Sequence, residues 1–235
     1  MKKKNIIIFG ANSGLGKEIL YKLLKMNANF YLSAKSLKAK SNLLYELNST
    51  QKKKIKFFEV YDFSSNENYE NFFKKLKKVT KQIHIAFNCV GYFGYDSMKK
   101  LNIDQLLLTF QLNVFSSIII SSNLVHFNKK KELLKIFHIG SSSGYEGFKN
   151  TVYYCSAKHA LVGAVKSMNK ETVKNNIINY LISMGGMKTK MGKKIKNQSF
   201  KNCLDPKKVA DLIINLAFLK INGYTEEVII KSILK

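Results

Sequence analysis

The chain has no arginine and no tryptophan, one proline and three cysteines in 235 residues. The missing arginine matters most, because 40 basic residues, all of them lysine, face 15 acidic ones for a formal net charge of +25. Nucleic-acid readers lean on guanidinium for bidentate contacts to bases and phosphates, and ammonium lacks that planar fork. The charge is therefore read chiefly as composition, since lysine, asparagine and isoleucine are all abundant, as in an AT-rich genome; a basic surface for a polyanion is the alternative. Cys89, Cys155 and Cys203 are an odd count without paired spacing, and none of the four histidines sits near a second ligand, which argues against a disulfide framework or a structural metal. Long hydrophobic runs are scarce too. The apolar stretch 6–9 stops at Gly10, too short for a signal peptide. Residues 105–128 carry no charge, yet Gln111, Asn113, Ser116, Ser117, Ser121, Ser122, Asn123 and His126 make a buried helix the better reading than a bilayer span. The expected location is cytoplasmic.

What is present is enough for one sizeable domain over residues 1–235, with 46% hydrophobic content to build a core. Short apolar runs at 5–9, 30–33, 55–60, 83–88, 134–139, 177–182 and 228–233 read as seven strands. Amphipathic stretches separate them; in one, Tyr69, Phe72, Phe73, Leu76 and Val79 share a helix face opposite Lys74, Lys75, Lys77 and Lys78. Strands apolar on both sides that alternate with such helices imply an α/β fold, a three-layer doubly wound parallel sheet.

Directly after the first strand stands Gly10-Ala11-Asn12-Ser13-Gly14-Leu15-Gly16, followed by a helical pattern. Glycines here admit positive φ and let backbone N–H groups approach a pyrophosphate at a helix N-terminus. Three glycines alone are a weak signal; their place at the opening of a βαβ unit points to dinucleotide binding. After the second strand, Ser33-Ala34-Lys35-Ser36 holds a cation where NAD specificity calls for a carboxylate. Lys35 therefore favours NADP, with NAD the second choice. Asp62, after the third strand, is placed to receive the adenine amino group or, more simply, to act as an N-cap near the next helix.

Tyr154-Cys155-Ser156-Ala157-Lys158 sets a phenol and an ammonium four residues apart, on one helix face. Ser141 lies thirteen residues before Tyr154, and Asn113 twenty-eight before that. With the glycine loop, Asn88-Cys89-Val90-Gly91 and Thr189 in the same order, the chain resembles the short-chain dehydrogenase/reductase family from Lys4 to about Ile233. The resemblance implies a Rossmann-like, NAD(P)-dependent oxidoreductase that interconverts a carbonyl and an alcohol by hydride transfer. Tyr154 is then the acid/base, Ser141 holds the substrate oxygen, Lys158 binds the nicotinamide ribose and lowers the phenol pKa, and Asn113 supports a water chain to Lys158. It also implies cofactor contacts from Gly10, Asn12, Ser13, Gly14, Leu15, Gly16, Asn88, Gly91, Gly185 and Thr189. A tyrosine with unperturbed pKa near 10 is a sluggish proton donor without such a cation beside it.

The sequence departs from the family pattern at Met184-Gly185, where Pro-Gly is usual, at Asn88-Cys89-Val90-Gly91 for Asn-Asn-Ala-Gly, and at Phe9-Gly10 for Thr-Gly. No reacting group is lost. A segment at about 186–204 is expected to close over substrate, and its lysines 188, 190, 193, 194, 196 and 201 suggest an anionic substrate, or simply a solvated loop. Phe115, Ile118 and Ile119, with Ala160, Leu161, Ala164 and Val165, are expected on outer helix faces that build a homodimer or homotetramer, as is common in the family. The alternatives are an epimerase or dehydratase of the extended relatives and a non-catalytic NADP-binding regulator. No nucleic-acid or membrane partner is expected.

Overall fold

Runs of Ile, Val and Phe bounded by turn residues form seven strands in the computed structural model, which describes residues 3–65, 69–100, 102–128, 132–194 and 199–232. They are β1 (Lys4–Phe9), β2 (Ala28–Ala34), β3 (Ile55–Val60), β4 (Ile85–Asn88), β5 (Leu134–Ile139), β6 (Ile177–Met184) and β7 (Glu227–Ile230). All pair in parallel, in the order β3-β2-β1-β4-β5-β6-β7. The order reverses between β1 and β4, so a crevice opens at the carboxyl ends of those two strands, where doubly wound sheets bind ligands.

Alternate residues of each strand feed opposite layers. Ile6 and Ile8 of β1 pack with helices α1 (Gly14–Leu23), α2 (Leu37–Glu46) and α8 (Pro206–Phe218) through Ile19, Leu43 and Ile213. Ile7 and Phe9 pack on the other side with α4 (Tyr69–Val79) and α6 (Ser116–Leu124) through Phe72, Phe73, Ile120 and Leu124. α3 (Ser49–Lys54) is a short connector opened by a capping box at Asn48, and α5 (Ile103–Phe110) runs through a π-helical turn, Gln111–Phe115, into α6. α7 (Val152–Thr172) comes after β5 and lies over β6. Pro206 at the first turn of α8 needs no N–H there, and Asp205 caps that turn through its bond from the Lys207 N–H.

The uncharged stretch 105–128 is the core helix the sequence suggests, although the run Ile103–Phe127 is long and apolar enough to cross a bilayer by length and composition. Its serines explain the choice: Ser117 bonds Asn88 on β4, and Ser121 bonds both His138 on β5 and Asn179 on β6. Several expected boundaries and faces differ. β4 begins at Ile85, because the Ile83 N–H turns away to the Phe127 carbonyl. Val79 is exposed at the last position of α4. β7 ends at Ile230, and Ile233 lies outside the described residues. Leu161 and Val165 of α7 do not face outward; they are buried against Leu181 of β6. Phe115 and Ile118 are exposed, 43% and 42%, as expected for an outer face.

Candidate active site

β1 ends at the crevice, and the chain turns at once into α1. Gly10 and Gly14 take positive φ, +75° and +52°, which other residues adopt only under strain. Gly16 is required for a different reason: a Cβ there would lie 2.4 Å from the Gly10 carbonyl oxygen, so only glycine lets the helix start this close to the strand. The Gly10 N–H donates to the Ser33 hydroxyl, tying the loop to β2. Ser13 occupies the N-cap of α1 without capping it through its side chain, and Ser13 and Gly14 are exposed. Leu15 is buried beneath them, and Asn12 is half-buried. The first turn of α1 thus presents N–H groups and the positive end of its dipole to the crevice, which fits a pyrophosphate.

At the carboxyl end of β2, Lys35 is largely exposed, with its Nζ 3.9 Å from Asp62 Oδ2. The two residues assigned to the adenosine end therefore stand together. Asp62 also accepts from the Ser64 N–H and hydroxyl through Oδ1, which closes a turn rather than capping a helix and leaves Oδ2 toward the lysine.

The remaining groups converge from four elements. Ser141, just beyond β5, accepts from the Ser143 N–H at 3.1 Å and shares a hydrogen bond with the Tyr154 phenol. Tyr154 sits in the first turn of α7, and one turn on Lys158 is only 3% exposed, its Nζ 5.5 Å from the Tyr154 ring centroid. Lys158 donates to the Ile139 carbonyl at 2.7 Å. Burial pushes the phenol up to about 12 against the Ser141 bond, and pushes the ammonium down to about 7. Desolvation penalises both charged forms here, which is why the phenol departs upward and the ammonium downward.

Asn113 lies in the π-helical turn, where the extra residue re-aims its side chain across the loop after β4. Its Nδ2 donates to the Tyr92 and Thr109 carbonyls, both at 2.8 Å, while its buried Oδ1 has no partner among the described residues. That oxygen would lie 3.2 Å from a Cβ on Gly91. Asn88 is spent as a brace, its amide bonded to Ser117 and the Val90 N–H. Cys89 packs its Cβ against Gly16, and burial lifts its thiol to about 12, so it fills space as a neutral group.

Gly185 donates its N–H to Ile230 in β7, and Thr189 stands over the glycine loop, its methyl 3.7 Å from the position of a Cβ on Gly14. The segment 186–204 is clasped at its base by bonds from Lys188 N–H to the Leu204 carbonyl and from Leu204 N–H to the Gly186 carbonyl. Lys188, Lys190, Lys193, Lys194 and Lys201 are exposed, and Lys194 reaches to 5.9 Å over the Tyr92 ring at the rim of the crevice. Lys196 lies outside the described residues. Sequence reasoning missed Ser33, the Ile139 carbonyl and Phe93, whose ring meets Tyr154; the run Tyr92-Phe93-Gly94-Tyr95 after Gly91 was the available signal.

Comparison with known proteins agrees with this geometry. A family model described as short chain dehydrogenase matches residues 4–199. An NADP-dependent 3-hydroxy acid dehydrogenase of Schizosaccharomyces pombe is 25% identical, covering 90% of this chain and 85% of that protein. The 3-oxoacyl-[acyl-carrier-protein] reductase FabG of Buchnera aphidicola subsp. Schizaphis graminum is 24% identical over 87% and 82% of the two chains. Among solved structures, ElxO with NADP bound superposes with a TM-score of 0.85 at 21% identity, covering 98% of this chain and 97% of that one. An alcohol dehydrogenase from the archaeon Thermococcus sibiricus, complexed with 5-hydroxy-NADP, gives 0.87 at 19%, over 99% and 97%. These two structures share the fold.

Proposed function

The chain belongs to the short-chain dehydrogenase family, and from that premise we propose that it is an NADP(H)-dependent oxidoreductase interconverting a carbonyl and an alcohol, with Tyr154 as the acid/base. One observation carries the reading: Ser141, Tyr154 and Lys158 meet at the crevice beside the uncapped start of α1. When bound, the nicotinamide supplies the hydride and, once oxidised, a positive charge near the phenol. Gly10, Asn12, Ser13, Gly14, Leu15 and Gly16 would hold the pyrophosphate, and Lys35 the 2′-phosphate, trading Asp62 for a stronger anion. Gly91, Gly185 and Thr189 would bound the nicotinamide pocket, with Asn88 shaping it from behind.

Ser141 orients the substrate oxygen toward Tyr154, whose phenol, pushed up to about 12 by burial, carries its proton at neutral pH. As negative charge builds on the substrate oxygen, the phenol gives up that proton. Lys158, pushed down to about 7, exchanges protons readily near neutrality and can replace it. The unpartnered Asn113 Oδ1 would take the next hydrogen bond through a water.

The substrate we propose is a carbonyl compound with a negative charge, received under the segment 186–204. The exposed lysines there support this, as do the names of the two relatives, one a 3-hydroxy acid dehydrogenase and the other a 3-oxoacyl reductase. A cytoplasmic homo-oligomer joined through the exposed Phe115 and Ile118 face completes the reading. The test is NADPH and NADH oxidation against 3-oxoacyl, keto-acid and neutral ketone panels. Turnover with NADPH that prefers anionic carbonyls is expected, and failure to bind either dinucleotide would refute the proposal.

A further inference from the structure

The Tyr154 ring packs against an aromatic side chain that the proposed chemistry does not use. The Phe93 ring, 9% exposed, meets the Tyr154 ring edge to face, with centroids 4.9 Å apart and planes at 73°. We infer that Phe93 is a positioning residue, holding the phenol in its reacting attitude and keeping water off it. This rests on the reading of Tyr154 as the acid/base.

Phe93 is itself locked. It stacks on Tyr95 at 5.8 Å and 29°, and the Tyr95 hydroxyl accepts from Asn150 Nδ2 at 3.2 Å. Asn150, in the left-handed region at φ 62°, takes the Asp96 N–H on its carbonyl at 3.0 Å. Farther along, the Tyr153 hydroxyl donates to the Lys100 carbonyl and accepts from the Asn102 N–H at 2.7 Å. The loop after β4 is therefore laced at several points to the turn that launches α7. Gly94 lets it lie this close, since a Cβ there would stand 2.4 Å from the Thr109 hydroxyl and 3.4 Å from Tyr153 Cβ.

The polar groups around the phenol are the Ser141 hydroxyl from the β5 turn and, from α7 itself, the Cys155 thiol and the Lys158 ammonium. Phe93 brings no charge and no hydrogen bond. Its contributions are steric and dielectric: edge-to-face geometry orients the ring, and its bulk sustains the desolvation that raises the phenol. A phenol displaced by an ångström donates its proton less efficiently, while the glycine loop and Lys35, assigned to the pyrophosphate and the 2′-phosphate, make no contact with Phe93.

The experiment compares wild type, Phe93→Leu and Phe93→Tyr in two ways. In NADPH-driven carbonyl reduction, Phe93→Leu is expected to lower kcat by about 10- to 100-fold with the KM for NADPH held within about twofold. The alkaline limb of its kcat profile should move to lower pH, because reduction needs the protonated phenol and a wetter phenol ionises earlier. Phe93→Tyr should recover most of the loss. In parallel, carbon NMR of tyrosine-labelled protein, with Tyr154→Phe for assignment, follows the Tyr154 titration without turnover. Phe93→Leu should ionise Tyr154 at lower pH than wild type. An unshifted Tyr154 titration overturns the inference, as does a kcat loss with the limb in place and no recovery in Phe93→Tyr. A wild type without carbonyl reduction counts against the proposed function alone, since the NMR titration still decides the role of Phe93. Should Phe93→Leu not fold, Phe93→Met keeps similar volume and serves both measurements.

Discussion

Tyr154 and Lys158 are four residues apart on α7, so their proximity was legible in the sequence; their proton affinities were not. Spacing reports neighbours, whereas the dry crevice that lifts one group to about 12 and drops the other to about 7 is assembled from segments far apart in the chain. His138 makes the same point. Its Nε2 meets Ser121 and Asn179, its Nδ1 has no partner among the described residues, and burial pushes it down to about 4. Its folded pKa is thus depressed below the unfolded value near 6.5. As pH falls below 6.5 the unfolded chain takes up a proton that the folded chain refuses, so stability is lost across the window from 6.5 to about 4. His138→Asn should remove this contribution, and urea unfolding should show it losing about 1.5 kcal/mol less than wild type between pH 6.5 and 5. Lys35 offers a second residue-scale prediction. Lys35→Glu should lower the ratio of kcat/KM for NADPH over NADH by about tenfold or more, the equivalent of about 1.4 kcal/mol; an unchanged ratio would remove Lys35 from cofactor choice.

Elements were readable where periodicity leaves no choice. β1, β5 and β6 are apolar on both sides because helices cover both sides, and their apolar runs match the strands within two residues at either end. α7 was harder, since Leu161 and Val165 alternate with Ala160 and Ala164, and a helix with small apolar residues around it does not announce which stripe meets the sheet; Leu181 decides. The π-helical turn at Gln111–Phe115 had no sequence signature, although it fixes where Asn113 points. The glycine loop was legible in composition and order, while the reason for its third glycine appears only in the 2.4 Å approach to the Gly10 carbonyl. Gly16→Ala should therefore push α1 off β1. The expected outcomes are a loss of about 1–3 kcal/mol in denaturant unfolding and weaker NADPH binding by fluorescence titration. A variant with wild-type values in both would mean that the loop yields without consequence.

The whole molecule carries +25, and most of that charge lies on solvated faces such as the lysine side of α4, opposite Phe72, Phe73 and Leu76. Fold class and strand count came from pattern alone, because a doubly wound sheet imposes one repeating unit on the entire chain. The bonds that join Gly186 and Lys188 to Leu204, with Lys194 over Tyr92, did not, since they depend on contacts between loops. If the exposed lysines of this segment steer an anionic substrate, kcat/KM should fall steadily as ionic strength rises, and a flat profile would assign them to solubility. The central claim, that this crevice reduces a carbonyl with Tyr154 as proton donor, is tested most directly by NADPH oxidation in wild type and Tyr154→Phe, with NADPH affinity measured in both. The account predicts wild-type turnover, a loss of at least about a hundredfold in Tyr154→Phe, and equal cofactor binding. Undiminished turnover in Tyr154→Phe would contradict it.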